Sequence, residues 1–280
     1  MVPLKATHGW GPQNQRASLC LTFDNFGEAC EIEIGWWGDK PIGQHITADF
    51  IPQLVDALGS AKATYFVEAI NVDIYPDALK RWVAAGHEIG LHGWRHEFWT
   101  KTESSKRRDI IARSISAMRS IGVAPEGIRP PGGTMPEDAW AEIKDAGLAY
   151  VSDLGQGGVR LHGDLISLPF AWEAVDAFYF EEVAGPLRKE HGLDEAIYPP
   201  SHWAAVLDDL AKNIVREGKQ ATVIFHPQLL ATDPERMAVF SNFVGRITAD
   251  PDIWVANGAQ TARFAKAPHA TEPVVAVAAE

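Results

Sequence analysis

Two cysteines in 280 residues are too few for a disulfide framework. Cys20 lies inside an apolar run, so a buried free thiol is expected, and Cys30 is the one partner a bridge would have. Positive charge is also scarce. Twenty-five Lys and Arg stand against 37 Asp and Glu, a formal charge of −12, which argues against nucleic acid or an anionic membrane as partner. No run of 18 apolar residues occurs, and the opening M-V-P-L-K-A-T-H-G-W lacks the apolar stretch of a signal peptide. For the chain as it stands, a cytoplasmic, reducing location is the expectation. No internal repeat or low-complexity linker appears before the last dozen residues. One domain over 1–267 is expected, with an Ala/Val/Pro-rich, disordered tail over 268–280.

What is present is apolar residues (46%), enough for a sizeable core, and ten tryptophans, of which Trp36, Trp37, Trp94, Trp99 and Trp172 fall near expected loops. Core packing is the plain use of those rings; exposed ones would suit a sugar ring or another flat substrate. The chain alternates short apolar runs with amphipathic stretches. Strands are expected over Ala17–Asp24, Thr64–Glu68, His87–Leu91, Gly127–Arg129, Ala149–Asp153, Leu165–Phe170, Ala221–His226 and Ile253–Ala256. Helices are expected between most of them. Asn25–Thr47 and Trp172–Pro200 read as long irregular insertions. Seven or eight such alternations imply parallel strands joined by crossover helices, and a distorted α/β barrel fits better than an open sheet.

Gly86–Trp99, G-H-E-I-G-L-H-G-W-R-H-E-F-W, places His92 and His96 four residues apart just past a strand. Such a pair can converge on one metal ion, although packing against Trp94 and Trp99 is the competing explanation. The wider pattern favours chemistry. Asp24, Glu68, His92, Arg129, Asp153, Phe170 and His226 all stand at the C-terminal ends of expected strands, the rim where (β/α) barrels gather their reactive groups. Two imidazoles and an oxygen ligand suit a borderline divalent ion such as zinc, with cobalt or nickel as substitutes. Amide hydrolysis also needs a base, oxyanion donors and an acid for the leaving nitrogen. Asp24 oriented by Arg129, the Pro131-Gly132-Gly133 turn and His226 are the candidates. Each has a structural alternative: a salt bridge, a capping histidine, an Asp closing a turn.

Five motifs now stand in order: L-T-F-D-N (Leu21 to Asn25), H-G-W-R-H (His92 to His96), R-P-P-G-G (Arg129 to Gly133), V-S-D (Val151 to Asp153) and V-I-F-H-P (Val223 to Pro227). Together they resemble the polysaccharide deacetylases, the NodB-type carbohydrate esterases, across Ala17 to Phe264. The resemblance implies a distorted (β/α)7–8 barrel with a zinc-type site. It implies Asp24 as base, His92 and His96 as metal ligands, Arg129 and Asp153 orienting the base, and His226 as acid. A main-chain N–H near Gly132 would bind the oxyanion, and Trp94, Phe170 and Trp172 would contact substrate. It also allows a homo-oligomer.

Two positions depart from the family pattern. Asn25 stands where a metal-binding Asp is usual, and Gly132 where sugar-acting members commonly carry an aromatic. An uncharged amide should hold a metal more weakly, so Asp24 turning to the metal, or Glu28 or Glu68 reaching in, are alternatives to Asn25 as the third ligand. F-H-P-Q-L-L (Phe225 to Leu230) and D-I-W-V-A (Asp252 to Ala256) are similar to the branch containing allantoinase-like and cyclic imide hydrolases and peptidoglycan-deacetylase-like proteins. The leading expectation is therefore metal-dependent deacetylation of a small-molecule or saccharide N-acyl substrate. Ring opening of a cyclic amide or imide is the second, and a non-catalytic ligand-binding barrel, suggested by Asn25, is the third.

Overall fold

A computed structural model of the chain describes residues 1–268 and 270–274. Its strands are β1 (Val2–Ala6), β2 (Ala17–Phe23), β3 (Thr64–Val67), β4 (Glu88–Leu91), β5 (Gly127–Ile128), β6 (Tyr150–Val151), β7 (Arg160–His162), β8 (Leu165–Ser167), β9 (Gln220–Phe225), β10 (Ile253–Ala256) and β11 (Thr271–Pro273). Seven of them run parallel in the order β9-β2-β3-β4-β5-β6-β8 and curl around a common interior. β10 adds in parallel along Ala17 to Cys20 of β2, leaving Thr22 and Phe23 to pair with β3. Among the described residues a single bridge, Val175 to Ile224, spans the gap where β8 would have to meet β9. The expected distorted α/β barrel is thus the observed one, pulled open on one side.

All seven residues of β2 are buried, because helices cover one face and the curled sheet encloses the other. Side chains alternate between those faces. Leu19, Leu21 and Phe23 join the outer core beneath the helices, where Phe23 meets Tyr65, Trp82, Phe225 and Phe240. Cys20 belongs to the inner cluster with Phe66, Tyr150 and Ile166, closed below by Trp10 and the helix Gly258–Lys266. Space inside is short. A Cβ on Gly127 would stand 2.0 Å from the Tyr150 ring, so only glycine fits there.

Two expectations change. β8 continues antiparallel into β7, then β1, then β11, an apron the expected strand list does not contain. The chain from 268 was expected to be disordered, yet Thr271–Pro273 pairs with β1 through Leu4, Lys5 and Ala6. β1 presents an open edge, and unpaired backbone groups on such an edge recruit another segment. The rest of that expectation, at 269 and 275–280, lies outside the described residues. The two insertions are short helices and turns: Ala29–Glu33 in the first, Asp176–Phe180 and Gly185–Glu190 in the second. Both reach over the C-terminal strand ends. No helix among the described residues is long and apolar enough to cross a membrane.

Candidate active site

Alternation along each strand decides which residues reach the interior at the rim. Asp24 continues the inward row of Cys20 and Thr22, Glu68 that of Phe66, and His92 that of Gly90. Arg129 continues that of Gly127, and His226 that of Thr222 and Ile224. The result is a cavity of about 420 Å³ whose floor carries Asp24, Asn25, His92, His96, Arg129 and His226. Gly132, Phe170 and Trp172 line it too, the two rings packed edge to face at 5.8 Å. The insertions supply apolar walls, among them Trp36 from the first and Val183 and Leu187 from the second.

Arg129 is fully buried between the rings of Phe66 and Phe170. Its Nη1 donates to Asp24 Oδ1 at 2.5 Å, and its Nη2 to Thr22 Oγ1 and Ser152 Oγ. One Asp24 oxygen is therefore committed, and Oδ2 faces the cavity 3.9 Å from His92 Nε2. His92 Nδ1 bonds to the Arg129 carbonyl oxygen at 2.8 Å. A carbonyl only accepts, so Nδ1 carries the proton and Nε2 presents its lone pair inward. Burial pulls the pKa of both His92 and His96 below the ordinary histidine value, His96 well below. Both are neutral imidazoles, the form that binds metal.

Glu68 is fully buried, and burial raises its pKa well above the usual carboxylate range. Its Oε2 accepts the Phe26 N–H at 3.0 Å while Oε1 has no partner. Glu68, His92 and His96 each bring a ligand atom within 4.8 Å of the others'. His96 Nδ1 and Asn25 Oδ1 are likewise buried without partners. Orphaned buried polar atoms cost free energy, on the order of 1–3 kcal/mol each, and several facing one space fit an ion that satisfies them. The donor set is that of a borderline divalent cation. Asn25 and His96 also sit at φ of +59° and +76°, in the left-handed region. Strain of that kind collects at functional sites.

At the end of β9, beside Asp24 at the end of β2, His226 is held by Asp176, which accepts its backbone N–H at 2.8 Å and its ring Nδ1–H at 2.6 Å. Burial alone would lower the His226 pKa, but the Asp176 carboxylate, with Asp24 and Glu181, outweighs it and the pKa is raised. With Nδ1 given to Asp176, Nε2 is the ring nitrogen left for the cavity. In the glycine turn, the Gly133 N–H is spent on the Pro130 carbonyl at 2.8 Å.

Nine of the eleven expected site residues meet here, and two do not. Asp153 lies off the cavity and accepts from Ser167 Oγ at 2.6 Å; the arginine is braced by Ser152. The reason is alternation: Tyr150 and Ser152 face in, Val151 and Asp153 face out. Trp94 is buried with the Arg113 guanidinium 3.6 Å from its ring centre, so it packs against the helix Ser104–Ser120 and does not line the cavity. Ser152, Thr22 and Asp176 were not anticipated. Ser152 and Thr22 were legible in principle from the period-two pattern. Asp176 had no signal, because it lies in an irregular insertion.

Comparison with known proteins bears on the family and the fold. The family model "Polysaccharide deacetylase" matches residues 12–151. A peptidoglycan-N-acetylglucosamine deacetylase of Bacillus cereus is 32% identical over 231 residues, covering 81% of this chain and 72% of that protein. Among solved structures, a polysaccharide deacetylase from Mycobacterium smegmatis, titled as putative, superposes with a TM-score of 0.77 at 23% identity, over 95% of both chains. Puue allantoinase superposes at 0.72 with 16% identity over 92% of both chains, which is a likeness of fold.

Proposed function

This chain belongs to the polysaccharide deacetylase family, and from that premise we propose that it is a metal-dependent hydrolase of a carbon–nitrogen amide bond, removing acetyl from an N-acetylated, amino-sugar-like substrate. The observation that carries the proposal is the placement in one cavity, at the ends of the paired strands β2 and β9, of Asp24, held by Arg129, and His226, held by Asp176.

His92 and His96 would hold the divalent ion, zinc first and cobalt or nickel as substitutes. When bound, such an ion polarises an acyl carbonyl and acidifies water. The chain's own groups do the rest. Asp24 Oδ2 accepts the proton of the attacking water, while the Arg129 guanidinium, bonded to Oδ1, fixes the direction of the carboxylate. The Gly132 N–H faces the developing oxyanion. His226 Nε2 delivers a proton to the departing nitrogen, and Asp176 keeps the ring oriented and charged. Phe170 and Trp172 shield these transfers from bulk water.

Ring opening of a cyclic amide or imide is a second reading. A cavity of about 420 Å³ walled by Trp36, Val183 and Leu187 suits a compact substrate, and that observation favours it. The free Cys20 and Cys30 support a reducing, cytoplasmic location.

The test is direct. Protein stripped by chelation and reloaded with zinc, cobalt or nickel should hydrolyse N-acetylglucosamine oligomers faster than hydantoin- or imide-type rings. Faster turnover of rings would favour the second reading, and a metal that raises turnover on no amide would remove the first.

A further inference from the structure

Replacing an aspartate by Asn25 leaves the ion without a charged ligand at the usual place, and the neighbouring strand offers a carboxylate. Resting on the metal-dependent reading above, we infer that Glu68 supplies the anionic ligand, and that Asn25 is not needed to hold the ion.

Four observations carry this. Glu68 follows β3 directly, between Asp24 after β2 and His92 after β4, and its side chain follows Phe66 into the interior. The carboxylate is held and incompletely partnered: the Phe26 N–H fixes Oε2 at 3.0 Å, Oε1 has no partner, and one of the two oxygens lies within 4.8 Å of a ring nitrogen of each histidine. It has no cation of its own. The one buried guanidinium of the site, Arg129, spends its donors on Asp24, Thr22 and Ser152. A fully buried carboxylate without a counter-charge costs on the order of several kcal/mol, and a divalent ion in the adjacent space relieves that cost. Finally, the rival carboxylate has one oxygen committed, since Asp24 Oδ1 is bound to Arg129, and Asp24 is not in the cluster of ligand atoms that Glu68 forms with the two histidines.

The substitution therefore separates two roles. With Glu68 holding the ion, Asp24 keeps its free oxygen for the water proton. Asn25 retains a neutral amide at a φ of +59°, a conformation Asn tolerates better than most residues.

The experiment measures zinc affinity by competition with a chromophoric chelator, and the visible absorption of the cobalt-loaded protein. Neither readout needs a substrate. Glu68→Gln keeps the shape and an acceptor for the Phe26 N–H, and should weaken zinc binding about 100-fold and alter the cobalt spectrum. Asn25→Ala should leave both close to wild type. Asn25→Asp placed on Glu68→Gln should restore part of the affinity. Because Gln keeps the shape and the acceptor for the Phe26 N–H, the melting temperature of metal-free Glu68→Gln should match wild type while losing the rise that zinc confers. If Glu68→Gln misfolds, Glu68→Asp is compared instead; it keeps the charge, and retention of affinity close to Asn25→Ala supports the inference.

Unchanged zinc affinity in Glu68→Gln overturns it. So does an Asn25→Ala variant that loses as much affinity as Glu68→Gln. A wild-type protein that binds no divalent ion overturns both the inference and the metal dependence of the proposed function, whereas tight binding without turnover sinks only the latter.

Discussion

One carboxylate of the second insertion holds both ends of a rim histidine: Asp176 accepts the backbone N–H of His226 at 2.8 Å and its ring Nδ1 at 2.6 Å. Asp176 is fully buried, so the pair acts in a low dielectric and ties the insertion to the end of β9.

From this pair follows a pH dependence. The His226 pKa is raised above its ordinary 6.5, so the acid is charged below that value and lost as pH rises through the raised one. Activity should fall on the alkaline side at that point. Asp176→Asn should move this limb to lower pH by about one unit or more and reduce kcat roughly 10- to 100-fold. The pH profile of kcat/KM checks it; an unmoved alkaline limb would separate His226 from the acid role. The stabilisation from the pair should vanish over the same alkaline range in the wild type and be missing from the variant at all pH values.

The buried pair of Arg129 and Asp24 makes a second prediction. Arg129→Met leaves Asp24 buried without its cation, a change worth about 3–5 kcal/mol in urea unfolding, because the desolvated charge persists when its partner goes. Turnover should fall with it, as Asp24 Oδ2 is then no longer directed into the cavity. Equal unfolding midpoints for variant and wild type would count against the pairing.

Two adjacent residues just beyond β6 should behave differently. Ser152 braces the guanidinium through Nε and Nη2, and Asp153 bonds only to Ser167 on the outer face. Ser152→Ala should therefore lower kcat about tenfold at most by loosening Arg129, with KM little changed. Asp153→Asn should leave the pH profile as it was. A pH profile shifted by Asp153→Asn and untouched by Ser152→Ala would reverse the assignment.

The glycine turn gives a graded pair. Gly133 has φ of +75°, and a Cβ there would stand 2.5 Å from the Phe170 ring; at Gly132, with φ of +72°, the nearest atoms of Phe98 are 3.6 Å away. Gly132→Ala should cost about 1 kcal/mol from backbone strain alone. Gly133→Ala should cost more, because Phe170 must also move, and it should raise KM. Thermal unfolding and steady-state kinetics of the two variants decide the order.

Much of the site was legible because period-two alternation and strand ends are local properties. Asp24, His92, Arg129 and His226 each close an apolar run, and a parallel barrel has one rim on which those ends can meet. Asp153 was misplaced by one residue. On a strand of two residues, Tyr150–Val151, the sequence does not mark which neighbour faces in, and the Tyr150 ring inside the barrel settles it for Ser152. Trp94 was misread for a similar reason: a tryptophan beside a ligand looks like a substrate platform until Arg113 from another helix covers it.

The sequence by itself determined the elements and the chemistry at their ends, because hydrophobic period, turn residues and reactive side chains are all written locally. The tertiary structure decided the partners. That Asp176 would hold His226, Ser152 would brace Arg129, and Glu68 would stand beside His92 and His96 depends on the curl of the sheet and the path of an irregular insertion. Those are set by packing between residues tens to hundreds of positions apart, which no local pattern encodes.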